Sequence, residues 1–401
     1  MIKKILYSLI ISLLLFCPKI VYAIEINSKY AIMYNLNDDT VLYEKNIHDK
    51  TQIASLTKIM TCLVAIENID DVNKKVTMTA KDFRGLAEAN ASVAGFHIGD
   101  NVTYMDLLMG LFLPSGADAA LALSNNIGGN EKNFVKLMNA KAQELGMTDT
   151  NFVNTTGLDI DGHYSTVYDI AKLLKYALKN STFKYIFETN EYTTSNNIKL
   201  YSTRVTNIKK YALDISKITG SKTGYTGDAG LCLASTATYD DVNYLLVTTN
   251  ANPNYNIPYN FIDAKNLYEY YANNYSYQNI INKGQFLIEL ETEYGYDKYQ
   301  VYAKDDVTKY LLNDFDINNV SYEYEGINKL SSKNKINDKL GIINVIYNGE
   351  TLDTIDVYLD KTLHFNLLLF LIQTKMIYPT ILIIIAIISI VLIHNKNKSK
   401  N

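Results

Sequence analysis

Tryptophan is absent from the 401-residue chain, and cysteine and histidine are scarce, with three and five copies. The histidines form neither a His-x-x-x-His pair nor a cluster with cysteine, so nothing supports a zinc hydrolase. Once an N-terminal leader is removed, Cys62 and Cys232 remain, far apart and each among apolar residues. Such thiols are more typical of a protein core than of a disulfide or a metal site. The sequence therefore predicts no metal and no other cofactor.

Basic charge is also limited. The chain has 38 Lys and Arg against 42 Asp and Glu, a formal net charge of -4, and no basic block outside its termini. Proteins that bind nucleic acids neutralise phosphates with a basic surface. No nucleic acid is therefore expected among the partners.

The N-terminus has the pattern of a secretory signal peptide. A basic start, Met-Ile-Lys-Lys, precedes an apolar stretch over residues 5–16, and a cleavage site follows at Ala23. Cys17 suggests a lipoprotein signal as an alternative, but the bulky Phe16 stands where lipoprotein processing needs a small residue. The prediction is a signal peptide over residues 1–23.

The C-terminus has the pattern of a membrane anchor. Residues 376–393 are almost wholly apolar and just long enough to cross a bilayer. The tail that follows, residues 394–401, contains three lysines: Lys396, Lys398 and Lys400. The positive-inside rule places such a tail in the cytoplasm. We expect a single-pass protein of the cell membrane with its body outside, joined to the anchor by a linker over residues 363–375.

Between the termini, the apolar periodicity predicts two folded units. The first, residues 24–275, has strands near both ends, over residues 31–43, 218–237 and 244–249. Helices are expected in its middle from Ser55 and over residues 105–113, 118–124, 134–145 and 170–178, and a last one over residues 263–271. For the helix at residue 170, Thr166 and Asp169 are placed to form a capping box. The pattern is typical of an α/β (α+β) fold in which helices flank one antiparallel sheet.

The second unit, residues 276–362, is predicted to be a small all-β domain. Short apolar runs separated by Gly or Asn turns indicate strands over residues 286–291, 299–303, 321–324 and 342–347.

Three short motifs could carry chemistry. Ser55-x-x-Lys58 places a hydroxyl and an amine one helical turn apart, so both side chains lie on one face. Taken alone this pair is weak evidence, because the chain repeats the pattern at Ser181 and at Ser332. An isolated copy is more typical of a solvated polar pair.

The other two motifs are equally ambiguous alone. Ser115, in a Pro-Ser-Gly turn before a helix, could join a proton relay or simply cap the helix. Lys222 and Thr223, at the start of a strand, could hold a carboxylate, and Gly224 would let backbone approach a ligand.

The order and spacing of the motifs are more specific. Ser-x-x-Lys on the first apolar helix, Ser-Gly-x about sixty residues later and Lys-Thr-Gly about a hundred after that form the set of β-lactamases and penicillin-binding proteins. The stretches over residues 54–60, 107–120, 150–169 and 221–235 resemble those of low-molecular-mass D-alanyl-D-alanine carboxypeptidases. The resemblance covers residues 27–275 strongly and the β domain weakly.

The resemblance implies a catalytic role for three residues. Ser55 would attack the carbonyl of the penultimate D-Ala in peptidoglycan stem peptides ending in D-Ala-D-Ala, forming an acyl-enzyme. Lys58 would be the base, kept neutral by partial burial and by the second cation, Lys222. Ser115 would pass a proton to the leaving amine.

It also implies a binding role for the strand motif. Lys222 and Thr223 would hold the terminal carboxylate, Gly224 would allow close approach, and the backbone N–H groups of Ser55 and Tyr225 would form the oxyanion hole. β-Lactam antibiotics would acylate Ser55, because their strained amide mimics the D-Ala-D-Ala bond.

One position departs from the family pattern. Asn usually stands two residues after the middle serine, where its amide contacts the lysine and the substrate; here that residue is Ala117. We expect the change to affect the rate of the reaction, and the balance between hydrolysis and transfer, more than the fold.

Two alternatives remain. A class A β-lactamase shares the motifs, but the Glu-x-x-Leu-Asn segment that activates its water is not found between residues 125 and 222. A non-catalytic wall-binding protein could keep the fold and lose turnover, with Ala117 as the cause.

Overall fold

The structure is a computed structural model that describes residues 24–253 and 257–398. The predicted signal peptide lies outside the described residues. The chain divides into two units, the first ending at Asn273 and the second beginning at Asn274.

The described strands of the first unit are β1 (Tyr30–Asn35), β2 (Thr40–Lys45), β3 (Lys75–Thr77), β4 (Asn101–Thr103), β5 (Glu191–Thr193), β6 (Lys199–Tyr201), β7 (Ile218–Thr226), β8 (Gly230–Tyr239) and β9 (Val242–Ala251). Five of them form an antiparallel sheet at the centre of the unit, in the order β2-β1-β9-β8-β7. The first and the last strands of the unit thus meet in one sheet, which confirms the predicted fold class.

Helices cover this sheet. They are α1 (Thr57–Glu67), α2 (Tyr104–Phe112), α3 (Ala117–Gly128), α4 (Glu131–Glu144), α5 (Val167–Ala177), α6 (Ser181–Glu188), α7 (Thr203–Tyr211) and α8 (Tyr259–Asn274). Helices α6 and α7 were not among the predicted elements. Of the predicted capping box of α5, one half is present: Thr166 accepts from the Asp169 N–H, but the Asp169 carboxylate accepts from Asp149 and Thr150 instead.

The helix that follows Ser55 lies at the centre of this unit. The sequence predicted an amphipathic helix, but every residue of α1 from Thr57 to Ala65 is buried. Polar groups in such a helix must find hydrogen-bond partners inside the protein. Thr61 does so by donating to the Thr155 carbonyl at 2.8 Å.

The second unit is built from short antiparallel ladders over its own apolar core. Its strands are β10 (Tyr275–Ile281), β11 (Phe286–Leu290), β12 (Tyr299–Tyr302), β13 (Val307–Leu312), β14 (Val320–Gly326), β15 (Lys339–Tyr347) and β16 (Glu350–Tyr358). The four predicted strands are present as β11, β12, β14 and β15. The other three were not predicted.

Two helices end the described chain, α9 (Leu367–Gln373) and α10 (Ile377–Lys398). The region expected to be a plain linker therefore contains a helix of its own. Within α10, Ile377–Asn395 is long and apolar enough to span a membrane, with a mean hydropathy of 2.6 and no buried residue.

Candidate active site

Ser55 lies in a single 3-10 turn, Ala54–Leu56, that leads directly into α1. Ala54 has a φ of 45°, in the left-handed region that non-glycine residues rarely adopt. Such a conformation persists only where surrounding contacts hold it. The residue before Ser55 is therefore fixed by its neighbours.

A hydrogen-bond chain from His163 provides part of that support. The Val153 N–H donates to His163 Nδ1 at 3.1 Å, so the ring proton of the neutral imidazole is on Nε2. Nε2 then donates to Thr57 Oγ1 at 2.8 Å, and the Thr57 hydroxyl donates to the Ala54 carbonyl, also at 2.8 Å. Burial lowers the pKa of His163 to about 4, so the ring is neutral near pH 7 and acts as a support.

A loop glycine closes on the same carbonyl. Gly157 has a φ of +81°, and a Cβ atom there would lie 2.0 Å from the Ala54 oxygen. The Asn154 side chain holds the loop by accepting from the Gly157 N–H at 2.7 Å. Any larger residue at position 157 would displace the turn that carries Ser55.

Lys58 points its amine at the Ser55 hydroxyl. The Lys58 Nζ lies 2.9 Å from Ser55 Oγ and 2.6 Å from the Thr156 carbonyl, and the residue is 3% exposed. Burial lowers the pKa of Lys58 to about 7, and the Asp118 carboxylate opposes this shift. The sequence predicted partial burial; in the structure burial is nearly complete and is the dominant cause. A substantial fraction of the amine is neutral near pH 7.

Ser115 and Lys222 form a second hydrogen-bonded pair, and Ser115 lines the same cavity as Ser55. Lys222 is completely buried, and its Nζ donates to Ser115 Oγ at 2.9 Å. Burial, and next the charge of Lys58, lower the pKa of Lys222 well below its usual range. Ser115 has a φ of 64° and does not cap α3, because Gly116 is the N-cap residue. Of the two interpretations of Ser115, the placement fits a site residue.

The strand β7 passes close to the nucleophile turn. A Cβ atom on Gly224 would lie 2.9 Å from the Ser55 nitrogen, so this approach requires glycine. The Thr223 hydroxyl donates to Thr203 Oγ1 at 2.8 Å. Thr203 begins α7, and no motif in the sequence marked it.

Two cavities meet at Ser55. The Thr223 cavity, about 380 Å³, is lined by Ser55, Ser115, Thr203, Thr223 and Gly224 among others. The Lys58 cavity, about 520 Å³, is lined by Ser55, Lys58, Ala117, Gly157 and Asp159 among others. Asn90, Ser92 and Tyr225 line both cavities. A ligand extended across Ser55 would occupy both.

Ala117 lies at the floor of the Lys58 cavity, beneath the segment that carries Asn90 and Ser92. Its N–H donates to the Ser92 carbonyl at 2.7 Å, and its side chain packs with Leu86 and Leu121. The Asp118 carboxylate holds the same segment in place by accepting a hydrogen bond from the Ala94 N–H at 2.8 Å. The small side chain at 117 lets this segment lie close over α3.

The seven predicted site residues are thus brought together, with Lys222 just beneath the cavities. The two other Ser-x-x-Lys copies are not part of the site. Lys184, which follows Ser181, lies 3.8 Å from Glu188 on the exposed side of α6, and Ser332 is exposed in the second unit.

Sequence reasoning missed the supporting residues. His163 and Gly157 lie in stretches that resembled the family, but no role was assigned to them. Asp118 and Thr203 carried no signal, because their contacts depend on distant parts of the chain.

No group of three or more His, Cys, Asp or Glu side chains suited to a metal ion is found within residues 24–253 and 257–398. Cys62 and Cys232 are buried free thiols. Burial raises the pKa of Cys232 to about 12, so it is a protonated, unreactive thiol.

Comparisons with known proteins identify the family. The peptidase S11 family, described as D-alanyl-D-alanine carboxypeptidase, matches residues 18–253. The D-alanyl-D-alanine carboxypeptidase DacF of Bacillus subtilis (strain 168) is 29% identical over 329 residues, which cover 81% of this chain and 83% of the relative.

Two solved structures are similar. The D-alanyl-D-alanine carboxypeptidase DacD from Francisella tularensis matches with a TM-score of 0.70 at 19% identity, covering 88% of this chain and 98% of that one, a likeness of fold. The Streptomyces K15 DD-transpeptidase matches with a TM-score of 0.56 at 29% identity, covering 62% and 98%.

Proposed function

The chain belongs to the D-alanyl-D-alanine carboxypeptidase family of serine peptidases, and from that premise we propose that Ser55 is the nucleophile of its reaction. The enzyme is a hydrolase of the low-molecular-mass penicillin-binding type. The observation that carries the assignment is the 2.9 Å contact between Ser55 Oγ and a buried amine whose pKa is lowered to about 7.

Acylation begins with a proton transfer. Neutral Lys58 takes the proton of the Ser55 hydroxyl while Oγ forms a bond to the carbonyl carbon of the penultimate D-Ala. The bond from that carbon to the nitrogen of the terminal D-Ala then breaks. Ser115 donates a proton to the leaving nitrogen and regains one from the adjacent Lys222, 2.9 Å away. Water then attacks the ester carbonyl and the bond to Ser55 Oγ breaks. Ser55 Oγ takes back the proton held by Lys58, and the proton lost by the water returns through Ser115 to Lys222, so both lysines regain their starting forms.

The terminal carboxylate of the substrate occupies the Thr223 cavity. The hydroxyl groups that line this cavity, from Ser115, Thr203 and Thr223, can donate hydrogen bonds to a carboxylate, and Lys222 lies beneath them. A negative charge there raises the pKa of Lys222 and favours its ammonium form. The backbone N–H groups of Ser55 and Tyr225 form the oxyanion hole.

The reaction takes place at the outer face of the cell membrane. The apolar helix α10 anchors the chain in a single pass, and the basic tail over residues 394–401 remains in the cytoplasm. The substrates are peptidoglycan stem peptides that end in D-Ala-D-Ala. β-Lactams acylate Ser55 in their place.

Intact-mass spectrometry with benzylpenicillin tests the nucleophile. The chain from Ile24 to Thr374 should gain one adduct, which is lost in Ser55→Ala and kept in Ser181→Ala, the matched serine of a second Ser-x-x-Lys copy. An adduct that survives in Ser55→Ala would contradict the assignment. An adduct on Ser55 without release of D-Ala from a D-Ala-D-Ala peptide would favour the non-catalytic wall-binding protein instead.

A further inference from the structure

The two cavities at Ser55 differ in charge. The described residues that line the Thr223 cavity offer hydroxyl, amide and apolar groups, with no carboxylate and no ammonium among them. The Lys58 cavity has one carboxylate among its described lining residues, that of Asp159. The two ends of a ligand that spans Ser55 therefore contact different chemical groups: uncharged ones in the Thr223 cavity and a carboxylate in the Lys58 cavity.

Asp159 is available to a ligand. It is exposed, and no hydrogen bond or ion pair engages its carboxylate among the described residues. Its backbone is nevertheless well placed, because Gly157 packs on the Ala54 carbonyl and the Leu158 carbonyl accepts from Asn154 Nδ2 at 2.8 Å. A carboxylate is thus held at the wall of the cavity without an internal partner.

The direction of the substrate follows from the proposed function, on which this inference rests. With the terminal carboxylate in the Thr223 cavity and the scissile carbonyl at Ser55, the remaining, acyl half of the peptide extends into the Lys58 cavity. The residues upstream of D-Ala-D-Ala are the part of the substrate that Asp159 can reach.

We propose that Asp159 selects substrates whose residue upstream of D-Ala-D-Ala carries a free primary ammonium group. A peptide with a diamino acid at that place and an uncapped side-chain amine forms an ion pair with Asp159. Once the amine is converted to an amide, as in acylation or cross-linking, the charge and the ion pair are lost. The enzyme thereby prefers stem peptides that have not been cross-linked through that amine.

The expected preference is modest. An exposed ion pair is strong enough to give about a threefold to fivefold difference in kcat/KM between a peptide with the free amine and one with the amide. Salt screens the ion pair and reduces this difference. Asp161 provides a matched control: it lies two residues away, is also exposed and lines neither cavity. If only the substitution at Asp159 changes the preference, the cause is an ion pair with the substrate amine and not the overall negative charge of the loop.

The test is D-Ala release by the full chain in detergent from two peptides, Nα-acetyl-Lys-D-Ala-D-Ala and its Nα,Nε-diacetyl form. The wild-type enzyme should favour the free amine about threefold to fivefold at low salt. The ratio of kcat/KM for the free-amine peptide to kcat/KM for the diacetyl peptide should fall to about one in Asp159→Asn. It should drop below one in Asp159→Lys and keep its wild-type value in Asp161→Asn.

Three results would overturn the inference alone: D-Ala release by the wild type without a preference, an unchanged ratio in Asp159→Asn, or an equal loss in Asp161→Asn. Failure of the wild type to release D-Ala from either peptide and to form a benzylpenicillin adduct would instead overturn the proposed function, and this inference with it.

Discussion

The ammonium of a lysine loses its hydration when the side chain is buried, and no carboxylate of the described residues lies close enough to Lys58 to form an ion pair in compensation. The neutral amine is therefore favoured, and its lone pair can accept the Ser55 proton. The nearest opposing charge, on Asp118, moderates this effect. The position of Lys58 thus makes a side chain that is normally a cation neutral in a substantial fraction of molecules near pH 7.

The rate of acylation should accordingly rise with pH. Since the pKa of Lys58 is lowered to about 7, the neutral fraction grows about tenfold from pH 6 to pH 8. The rate of adduct formation with benzylpenicillin, followed by mass spectrometry, should follow this fraction. His163 does not contribute in this range, because its pKa is lowered to about 4.

A variant tests the assignment of the titrating group. Lys58→Arg should abolish acylation across the whole range, since a guanidinium keeps its proton. A rate that stays flat between pH 6 and pH 8 in the wild type would show that Lys58 is not the base.

At the scale of elements, the site depends on a loop pressed against a helix turn. The loop over residues 154–157 supplies carbonyl acceptors to Lys58 and Thr61, and its glycine contacts the Ala54 carbonyl. The turn that carries Ser55 thus keeps its left-handed residue because the loop and His163 hold it. The geometry of the candidate site therefore depends on the contact between these elements.

Two glycines of the same region allow the effect of backbone strain to be measured apart from the effect of the contact with the Ala54 carbonyl. Gly157 and Gly162 both have positive φ, +81° and +84°, but a Cβ atom at 162 would meet nothing closer than 3.8 Å. Gly162→Ala should lower the melting temperature by about 2–4 °C, from strain alone. Gly157→Ala should lower it by about 4–8 °C more and prevent benzylpenicillin acylation, because the turn must move.

The measurement is a thermal unfolding scan together with the adduct assay on both variants. Equal melting temperatures and equal acylation would show that the contact of residue 157 with the Ala54 carbonyl does not support the turn.

At the scale of the whole molecule, the apolar helix α10 suits association with a membrane. No residue of its span over Ile377–Asn395 is buried, and so large an exposed apolar surface is costly in water and favourable in lipid. The first unit, with the candidate active site, precedes this span in the chain.

The full chain should therefore remain in the membrane fraction after an alkaline carbonate wash, whereas a chain ending at Thr374 should be released. A fluorescent penicillin that cannot cross the membrane should label the full chain in intact spheroplasts. Labelling that appears only after lysis would contradict the proposed orientation.

Several elements could not be predicted from the sequence. Helix α7 buries only Arg204, so it has no apolar stripe from which a helix could be recognised. Strand β16 mixes polar and apolar residues at the edge of its sheet, where one side of the strand has no neighbour and the alternation is weak. Such elements form because their neighbours are in place.

The sequence by itself determined the features that depend on neighbours in the chain. Ser55 and Lys58 lie on one face because they are one helical turn apart, and the apolar length of α10 suffices for a membrane span. The motif order also indicated the family.

Only the tertiary structure decided how these parts act on one another. Ser115 and Lys222, 107 positions apart, meet at 2.9 Å, and His163 supports Ala54 through Thr57. The lowered pKa of Lys58 and the carboxylate of Asp159 in the cavity wall likewise depend on packing. The physical reason is that helical spacing is set by local backbone hydrogen bonds, whereas burial and long-range contacts are set by the packing of elements that are distant in the chain.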